Sequence, residues 1–199
     1  MLDSRSALEG VRGQGTSGAD TRPAIRLGET VTPQLLHIGV YPGAGAAARF
    51  ATAAADILGG ALPDSPVRAV TVGNHLIFRI APDQYWILGG GEPALEERLR
   101  SAIPTDAGCV TSLDGARTRF FIEGPRVRDL LRRLVTIDLH PAVFPVSGFA
   151  QTGIHHTPGL LLRANEDRYE FFALRTFAAF TWEVLVDAAR PFGYEILFP

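Results

Sequence analysis

The sequence has no lysine, a single cysteine and no long apolar run. Because all 19 basic residues are arginines, a lysine Schiff base, a phosphate-loop lysine and a lysine general base are excluded. Cys109 cannot form an internal disulfide, and its apolar surroundings in the sequence indicate a small buried side chain in a reducing compartment. No run approaches the roughly 20 apolar residues that cross a bilayer, and the start does not look like a signal peptide. We therefore expect a cytoplasmic protein that has no membrane partner.

The net charge and the length of the chain further limit the classes of protein to which it could belong. The net charge is −2 and the arginines are spread along the chain, so no basic domain is available to attract nucleic acid. A chain of 199 residues with 46% hydrophobic residues has enough apolar surface to fold as one domain, or as two small ones sharing a core.

Residues 1–33 differ in composition from the rest. They are rich in glycine, serine and arginine and have almost no apolar periodicity. This predicts an extended N-terminal arm with little structure of its own, of the kind that often becomes ordered against a partner. Residues 34–199 are predicted to form a single domain.

That domain divides into two halves, about 34–104 and 105–199, with the same order of elements. Each half reads strand, helix, three strands, helix. In the first half the predicted elements cover residues 35–41, 44–58, 67–72, 75–80, 84–88 and 93–102. In the second half a strand at 109–113 leads into elements at 117–122, 126–134, 149–154, 160–163, 169–174 and 177–189, with a turn at 157–159.

The repetition extends to individual residues at an offset of 84 positions. Aligning the two hairpins superimposes an arginine, an aspartate and a tyrosine of each half, namely Arg79, Asp83, Tyr85 and Arg163, Asp167, Tyr169. The pattern is typical of a hairpin with an aspartate capping its turn. It predicts an α+β fold of two pseudo-repeated, ferredoxin-like βαβββα halves, whose antiparallel sheets are covered by helices.

Two patterns suggest cofactor or metal sites, and neither is supported by its context. Residues 43–48 fit the G-x-G-x-x-A dinucleotide pattern, but the next strand ends without an acidic residue and the chain offers hairpins in place of parallel crossovers. His155 and His156 are adjacent, so on a strand their side chains point to opposite faces and cannot share an ion. We assign no catalytic, cofactor-binding or metal-binding residue to this chain.

The segment 138–152, hereafter the connector, contains more proline, charged and aromatic residues in a defined pattern than an ordinary core segment does. Its two prolines exclude helix and push His140 and Phe144 toward extended or turn backbone. Asp138 and His140, two residues apart, lie on one face of an extended segment, where the carboxylate could orient or charge the imidazole. Because no nucleophile accompanies them, we favour a local hydrogen bond that fixes the connector over acid-base chemistry.

Several motifs together resemble the gamma subunit family of heterotetrameric sarcosine oxidase over about residues 35–193. The motifs are Pro82-Asp83-x-Tyr85-Trp86-Ile87-Leu88, Gly124-Pro125, Asp138-Leu139-His140-Pro141-x-x-Phe144-Pro145 and Ala150-Gln151-Thr152, with Ser6-Ala7-Leu8 in the arm. One departure is Ser147, where the family pattern has glycine; Gly148 is then expected to supply the bend.

The resemblance implies a fold similar to the folate-binding domain of the glycine cleavage T protein. It also implies larger alpha and beta subunits and a small delta subunit as partners, which hold FAD, FMN, NAD and tetrahydrofolate, while this chain holds no cofactor. The acidic residues that a folate-using T protein places after the glycine of its central hairpin have no counterpart after Gly159.

The resemblance and the lack of a catalytic set predict a non-catalytic gamma subunit. The complex it implies oxidatively demethylates sarcosine to glycine, with tetrahydrofolate as one-carbon acceptor. We expect partner contacts from the arm and from Asp138, His140 and Phe144 of the connector. The alternatives are a stand-alone folate-binding protein, in which Asp138 or His140 contacts the pterin, and a gamma-like subunit of a related N-methyl amino acid dehydrogenase.

Overall fold

The computed structural model describes residues 6–10, 16–17, 23–32, 34–92 and 94–197. Across these residues the chain forms twelve strands and four α-helices, divided between two compact units. We name the units by their place in the sequence: the central unit is Thr32–Asp114, and the terminal unit combines Met1–Val31 with Gly115–Pro199.

Between residues 35 and 189 the elements follow one another in the order that the repeat predicts, whereas the strands Thr16–Ser17, Ile25–Thr30 and Tyr194–Ile196 were not predicted. In chain order they are β1 (Thr16–Ser17), β2 (Ile25–Thr30), β3 (Leu35–Val40), α1 (Ala46–Leu58), β4 (Val70–Val72), β5 (His75–Ala81), β6 (Gln84–Leu88), α2 (Leu95–Ala102), β7 (Gly108–Ser112), β8 (Arg117–Glu123), α3 (Val127–Leu131), β9 (Phe149–Ile154), β10 (Thr157–Asn165), β11 (Arg168–Leu174), α4 (Ala178–Ala189) and β12 (Tyr194–Ile196). Short 3-10 turns at Arg175–Phe177 and Arg190–Phe192 flank α4.

The central unit is an antiparallel sheet in the order β4-β5-β6-β3-β7. Helix α1 buries a stripe at every fourth position, namely Ala46, Phe50, Ala54 and Leu58. This spacing places the four side chains on one helix face, which packs with α2 and the sheet in one apolar cluster. Gly59 ends α1 in the left-handed region, with its N–H donating to the Ala55 carbonyl at 2.9 Å.

The terminal unit has a larger sheet in the order β1-β12-β2-β8-β11-β10-β9. The pairs between β2 and β9 in this order are antiparallel, whereas β12 runs parallel to β2. One face carries the core formed with α3 and α4, which includes Phe120, Tyr169, Phe171 and Trp182. Leu8 is fully buried in the same core.

The two sheets repeat each other strand by strand, which confirms the α+β fold of two pseudo-repeated halves. The run β4-β5-β6-β3-β7 of the central unit corresponds to β9-β10-β11-β8-β2 of the terminal unit. Arg79 pairs with Tyr85 across one hairpin and Arg163 with Tyr169 across the other, and a register shift follows each arginine.

The aligned aspartates also occupy equivalent positions, although through their backbone. The Asp83 carbonyl accepts a hydrogen bond from the Val40 N–H, and the Asp167 carbonyl accepts one from the Gly124 N–H, both at 2.9 Å. Each bond ties the tip of a hairpin to the strand that precedes the helix of the same unit. Both bonds use backbone carbonyls, so they do not bear out the prediction that the aspartates cap the hairpin turns.

The predicted arm and the predicted boundary between the halves both differ from the structure. Within residues 1–33, β2 pairs with β8, and Ser6 and the Ala7 N–H donate hydrogen bonds to the Glu29 carboxylate. The strand predicted to open the second half is β7, which pairs with β3, so the central unit extends to Asp114 and not to 104. The reason is long-range pairing: each of these strands joins a sheet whose other strands are distant in sequence.

The turn expected at 157–159 lies two residues earlier. Thr157, Pro158 and Gly159 belong to β10, and the chain reverses at His155 and His156, where His155 has φ 54°. No helix in the described part of the chain is long and apolar enough to span a membrane.

Candidate partner-contact segment

The connector follows α3 and ends in β9, and its residues 138–148 form a series of turns. The Val143 and Phe144 N–H groups both donate to the His140 carbonyl, at 2.9 and 2.8 Å. Leu139 and Phe144 point into the terminal-unit core, whereas Asp138 and His140 are exposed. The connector therefore has an apolar inner side that anchors it and an outer side in contact with solvent.

Asp138 fixes the backbone of this turn and does not orient the imidazole. Its Oδ1 accepts a hydrogen bond from the backbone N–H of His140 at 2.8 Å, and Nδ1 of His140 accepts one from the Ala142 N–H at 3.3 Å. The predicted local hydrogen bond is present, but it is an Asx turn. The hypothesis of a carboxylate that charges or aligns His140 is replaced by this arrangement.

Phe144 is a core residue. Its ring stacks on Tyr169 with centroids 6.3 Å apart and an angle of 6° between the planes, and it is only 7% exposed. The sequence interpretation treated Phe144 as displayed because it lies between two prolines. The ring of Phe144 therefore lies in the core of this chain and is not displayed, whereas the neighbouring Val143 and Val146 are exposed.

Arg163 holds the connector against the sheet. The buried guanidinium donates from Nη1 to the Phe144 carbonyl and from Nη2 to the Glu166 carbonyl, both at 3.0 Å, and lies over the Tyr169 ring at 5.9 Å. From the sequence alone, Arg163 is recognisable only as a repeated residue, equivalent to Arg79. The repeat is the sequence signal for this role, because the equivalent Arg79 makes the same kind of contact. Its Nη1 donates to the carbonyl of Asp64, which lies in a proline-flanked loop, at 2.9 Å.

Ser147 makes the bend that precedes β9. Its φ is +66°, in the left-handed region that favours glycine, and its N–H donates to the Arg163 carbonyl at 2.9 Å. Gly148 was expected to supply the bend, but it allows its backbone to lie close to Pro145 instead. A Cβ at position 148 would lie 2.7 Å from the Pro145 carbonyl oxygen. The glycine that the resemblance leads us to expect at position 147 would suit this backbone conformation.

A sequence model of the "Sarcosine oxidase, gamma subunit family" matches residues 42–190, which is most of the chain. This chain belongs to the sarcosine oxidase gamma subunit family. The gamma subunit of sarcosine oxidase from Corynebacterium sp. (strain U-96) is 28% identical over 170 residues, covering 85% of this chain and 82% of that relative. The gamma subunit from Arthrobacter sp. is 29% identical over 159 residues, covering 79% and 77%.

Solved structures agree with the family. A chain of the heterotetrameric sarcosine oxidase from Corynebacterium sp. U-96, in complex with pyrrole 2-carboxylate, superimposes with a TM-score of 0.78 at 26% identity over 87% of both chains. The glycine cleavage aminomethyltransferase T from Bartonella henselae gives a TM-score of 0.60 at 16% identity, covering 89% of this chain and 48% of that one. The second match shows the shared fold alone, and it confirms the fold that the resemblance implied.

The remaining sequence patterns of this gamma-family chain have structural explanations. Residues 43–48 lead into α1, and the strands of the central unit pair antiparallel, unlike the parallel sheet of a dinucleotide fold. His155 and His156 form an edge-to-face pair at the turn, 4.2 Å apart. Within the described residues, no three histidine, cysteine or acidic side chains are grouped so that they could hold a metal ion. Cys109 is partly exposed and is not the buried side chain that its apolar surroundings predict, and its thiol raises the pKa of the Tyr41 phenol.

Proposed function

We propose that this chain is the gamma subunit of a heterotetrameric sarcosine oxidase and that it supports assembly of the complex without carrying out the chemistry. The observation that carries the proposal is the match, over 87% of both chains, to a chain of the heterotetrameric oxidase. The family membership and the two similar gamma subunits point the same way.

In this proposal the larger alpha and beta subunits hold FAD, FMN, NAD and tetrahydrofolate, and delta completes the complex. The residues of this chain do not fit a pterin: Leu160, Leu161 and Leu162, which follow Gly159, are buried and apolar where a folate-using T protein has acidic groups. Glu170, a buried carboxylate, is engaged by Arg119 at 2.6 and 2.8 Å. These contacts support a structural role for the groups that would otherwise be candidates for chemistry.

Sarcosine-dependent oxygen uptake tests the proposal. The purified chain alone should show none, whereas the chain expressed with the alpha, beta and delta subunits should copurify with them in an active, flavin-containing complex. Oxygen uptake by the chain alone, or no association with the other subunits, would contradict it. Replacing sarcosine by N-methylglutamate, and following reduction of an artificial electron acceptor in place of oxygen uptake, identifies a related N-methyl amino acid dehydrogenase.

Equilibrium dialysis with tetrahydrofolate separates a subunit from a stand-alone folate-binding protein. We expect no binding to the isolated chain, because Leu160, Leu161 and Leu162 are buried in the core and provide no polar group that could bind the pterin. Micromolar binding by the isolated chain would favour the folate-binding protein.

A further inference from the structure

We propose that β7, an edge strand of the central unit, binds an extended segment of another subunit as an additional parallel strand. This inference rests on the proposed function, which supplies the other subunits, and it names the part of this chain that one of them contacts. It follows from the repeat of the two sheets, because the terminal unit fills a strand position that the central unit leaves open.

β7 occupies the same position in its sheet as β2 does in the terminal unit. Ile38 of β3 pairs with Val110 of β7, and Ile122 of β8 pairs with Leu27 of β2. Ile38 and Ile122 are 84 positions apart, which is also the offset that relates the two hairpins. Val110 therefore corresponds to Leu27, and the outer edge of β7 corresponds to the outer edge of β2.

In the terminal unit the outer edge of β2 is covered by a strand of the chain itself. β12 runs parallel to β2 and places Ile196 beside Leu27, and the Leu197 N–H donates to the Leu27 carbonyl at 2.8 Å. Tyr194 and Ile196 pack against the core of the terminal unit. The strand that fills this position is thus short, parallel and apolar at alternate residues.

The outer edge of β7 has no such strand in the part of the chain that the structure describes. β7 is the last strand in the order of its sheet, and the Leu113 N–H, which follows it, donates to the Leu35 carbonyl of β3 at 2.8 Å. Because pairing to a neighbour alternates along an antiparallel strand, the N–H and C=O groups of Val110 and Ser112 point away from β3. Among the described residues these backbone groups have no hydrogen-bond partner.

β7 also lacks the features that usually protect an edge. An unpaired edge strand is a template for another strand, and proteins block such edges with charged residues, proline, bulges or very short strands. β7 is five residues long, has no charged residue or proline, and pairs with β3 in regular register. β4, at the other edge of the sheet, has three residues, and its equivalent β9 is an edge strand too, so the repeat indicates an added strand at β7 alone.

The occupant is a segment of a different chain and not a second copy of this one. Two copies that join edge to edge through β7 about a two-fold axis perpendicular to the strands pair antiparallel, whereas β12 is parallel to β2. A parallel strand from elsewhere in a second copy makes a head-to-tail contact, which leaves one β7 free and continues to further copies. By comparison with Tyr194–Ile196, the segment has two apolar residues around a polar one, and its apolar side chains extend the cluster that contains Val110.

The test compares two variants at one position of the full-length chain, each expressed with the alpha, beta and delta subunits. Ser112→Pro removes an outward N–H and places the proline ring on the edge, while the bonds to β3 use other residues. Ser112→Ala is the matched control, since both variants lose the hydroxyl that accepts a hydrogen bond from the Asp114 N–H at 3.2 Å. We expect Ser112→Pro to bind the other subunits at least about tenfold more weakly in a titration followed by analytical ultracentrifugation, and Ser112→Ala to stay within about twofold of wild type.

Amide hydrogen exchange of the wild-type chain tests the same edge without a substitution. The amides of Val110 and Ser112 should exchange at least about tenfold more slowly in the complex than in the isolated chain, because the added strand accepts hydrogen bonds from them. Circular dichroism and the melting temperature establish that each variant is folded, and the exchange rates decide if Ser112→Pro is not.

Assembly of folded Ser112→Pro with wild-type affinity, an equal loss in Ser112→Ala, or unchanged exchange of the two amides overturns the inference while leaving the proposed function in place. Failure of the wild-type chain to bind the other subunits overturns both. A dimer of the isolated chain that Ser112→Pro abolishes and Ser112→Ala keeps overturns the choice of partner.

Discussion

At the scale of single residues, Arg163 links three parts of the terminal unit. It reaches the connector through the Phe144 carbonyl, the tip of its own hairpin through the Glu166 carbonyl, and the core through the Tyr169 ring. A buried cation is costly unless it is hydrogen-bonded, and hydrogen bonds from a charged donor are the stronger ones. The arginine therefore stabilises the connector only as long as both carbonyls are in place.

Arg163→Met should destabilise the chain by about 2 kcal/mol, because two buried carbonyl oxygens lose their charged donor. The matched control is Arg79→Met at the equivalent position. Its guanidinium is more exposed and donates one bond, to Asp64, so the loss should stay below about 1 kcal/mol. Urea unfolding of both variants gives the comparison, and equal losses would show that Arg163 does not hold the connector.

Tyr169 makes the stability of the terminal unit depend on pH. Burial raises the pKa of its phenol, and the hydroxyl has no hydrogen-bond partner in the described part of the chain. In the unfolded chain the pKa of tyrosine is about 10. Because the pKa of Tyr169 is higher in the folded state, its contribution to stability is fully present below about pH 10 and is lost as the pH rises through the folded pKa. At neutral pH, Tyr169→Phe should be neutral or slightly stabilising, because the buried hydroxyl that it removes has no hydrogen-bond partner in the described part of the chain.

Above about pH 10 the same variant should lose less stability than wild type, because it no longer carries a buried group that must ionise. Unfolding midpoints at neutral and alkaline pH measure the difference. Tyr194→Phe, at a partly buried position, is the control. If the two variants show the same alkaline behaviour, burial of Tyr169 is not the cause.

At the scale of elements, the bend of the connector depends on Ser147 for its positive φ and on Gly148 for the close approach to the Pro145 carbonyl. Ser147→Gly should stabilise the chain by about 0.5 kcal/mol. Glycine adopts a positive φ without the steric cost that serine has there, and this gain exceeds the larger backbone entropy that glycine loses on folding. Gly148→Ala should destabilise by more than about 1 kcal/mol, because the new Cβ meets the Pro145 carbonyl. Thermal unfolding of the pair decides, and a destabilising Ser147→Gly would mean that the serine side chain is needed there.

The order of elements could be predicted from the sequence because most of them carry local signals. Helix α1 is bounded by glycines and has an apolar stripe at every fourth residue. β2 was missed because Arg26, Gly28 and Glu29 interrupt its apolar residues. A Cβ at Gly28 would lie 2.3 Å from the Phe121 ring, so a residue that looks like a strand breaker is a requirement of packing.

The connector was predicted as a special segment, but the directions of its side chains were not. Prolines on both sides of Phe144 indicate the backbone and say nothing about which face is buried. That is decided by the stacking with Tyr169 and the bond from Arg163, two residues of a hairpin that follows later in the chain.

At the scale of the whole molecule, each unit takes a strand from beyond its own repeat. β2 precedes the central unit in sequence but pairs with β8 of the terminal unit, and β7 precedes β8 but pairs with β3 of the central unit. A cut at the predicted boundary near 104 would remove β7 from its sheet. A cut between Asp114 and Gly115 leaves the strands of the central unit together on one side.

The pairing of β2 with β8 and of β7 with β3 predicts how the chain behaves when it is split into two fragments. Fragments 1–114 and 115–199, expressed together, should associate and copurify, because β2 completes the sheet beside β8 and Leu8 fills the core of the terminal unit. Fragments 34–114 and 115–199 should associate much more weakly, since β8 then keeps an unpaired edge and the core has lost Leu8 and Ile25.

The control is a pair in which residues 1–114 carry Leu8→Ala and Ile25→Ala, which keeps the backbone of β2 but removes the two buried side chains. Copurification yield and the melting temperature of the reconstituted pair should fall between those of the other two pairs. If removal of residues 1–33 leaves association unchanged, β2 is not needed to complete the terminal unit, and the predicted arm would then be an appendage and not part of the fold.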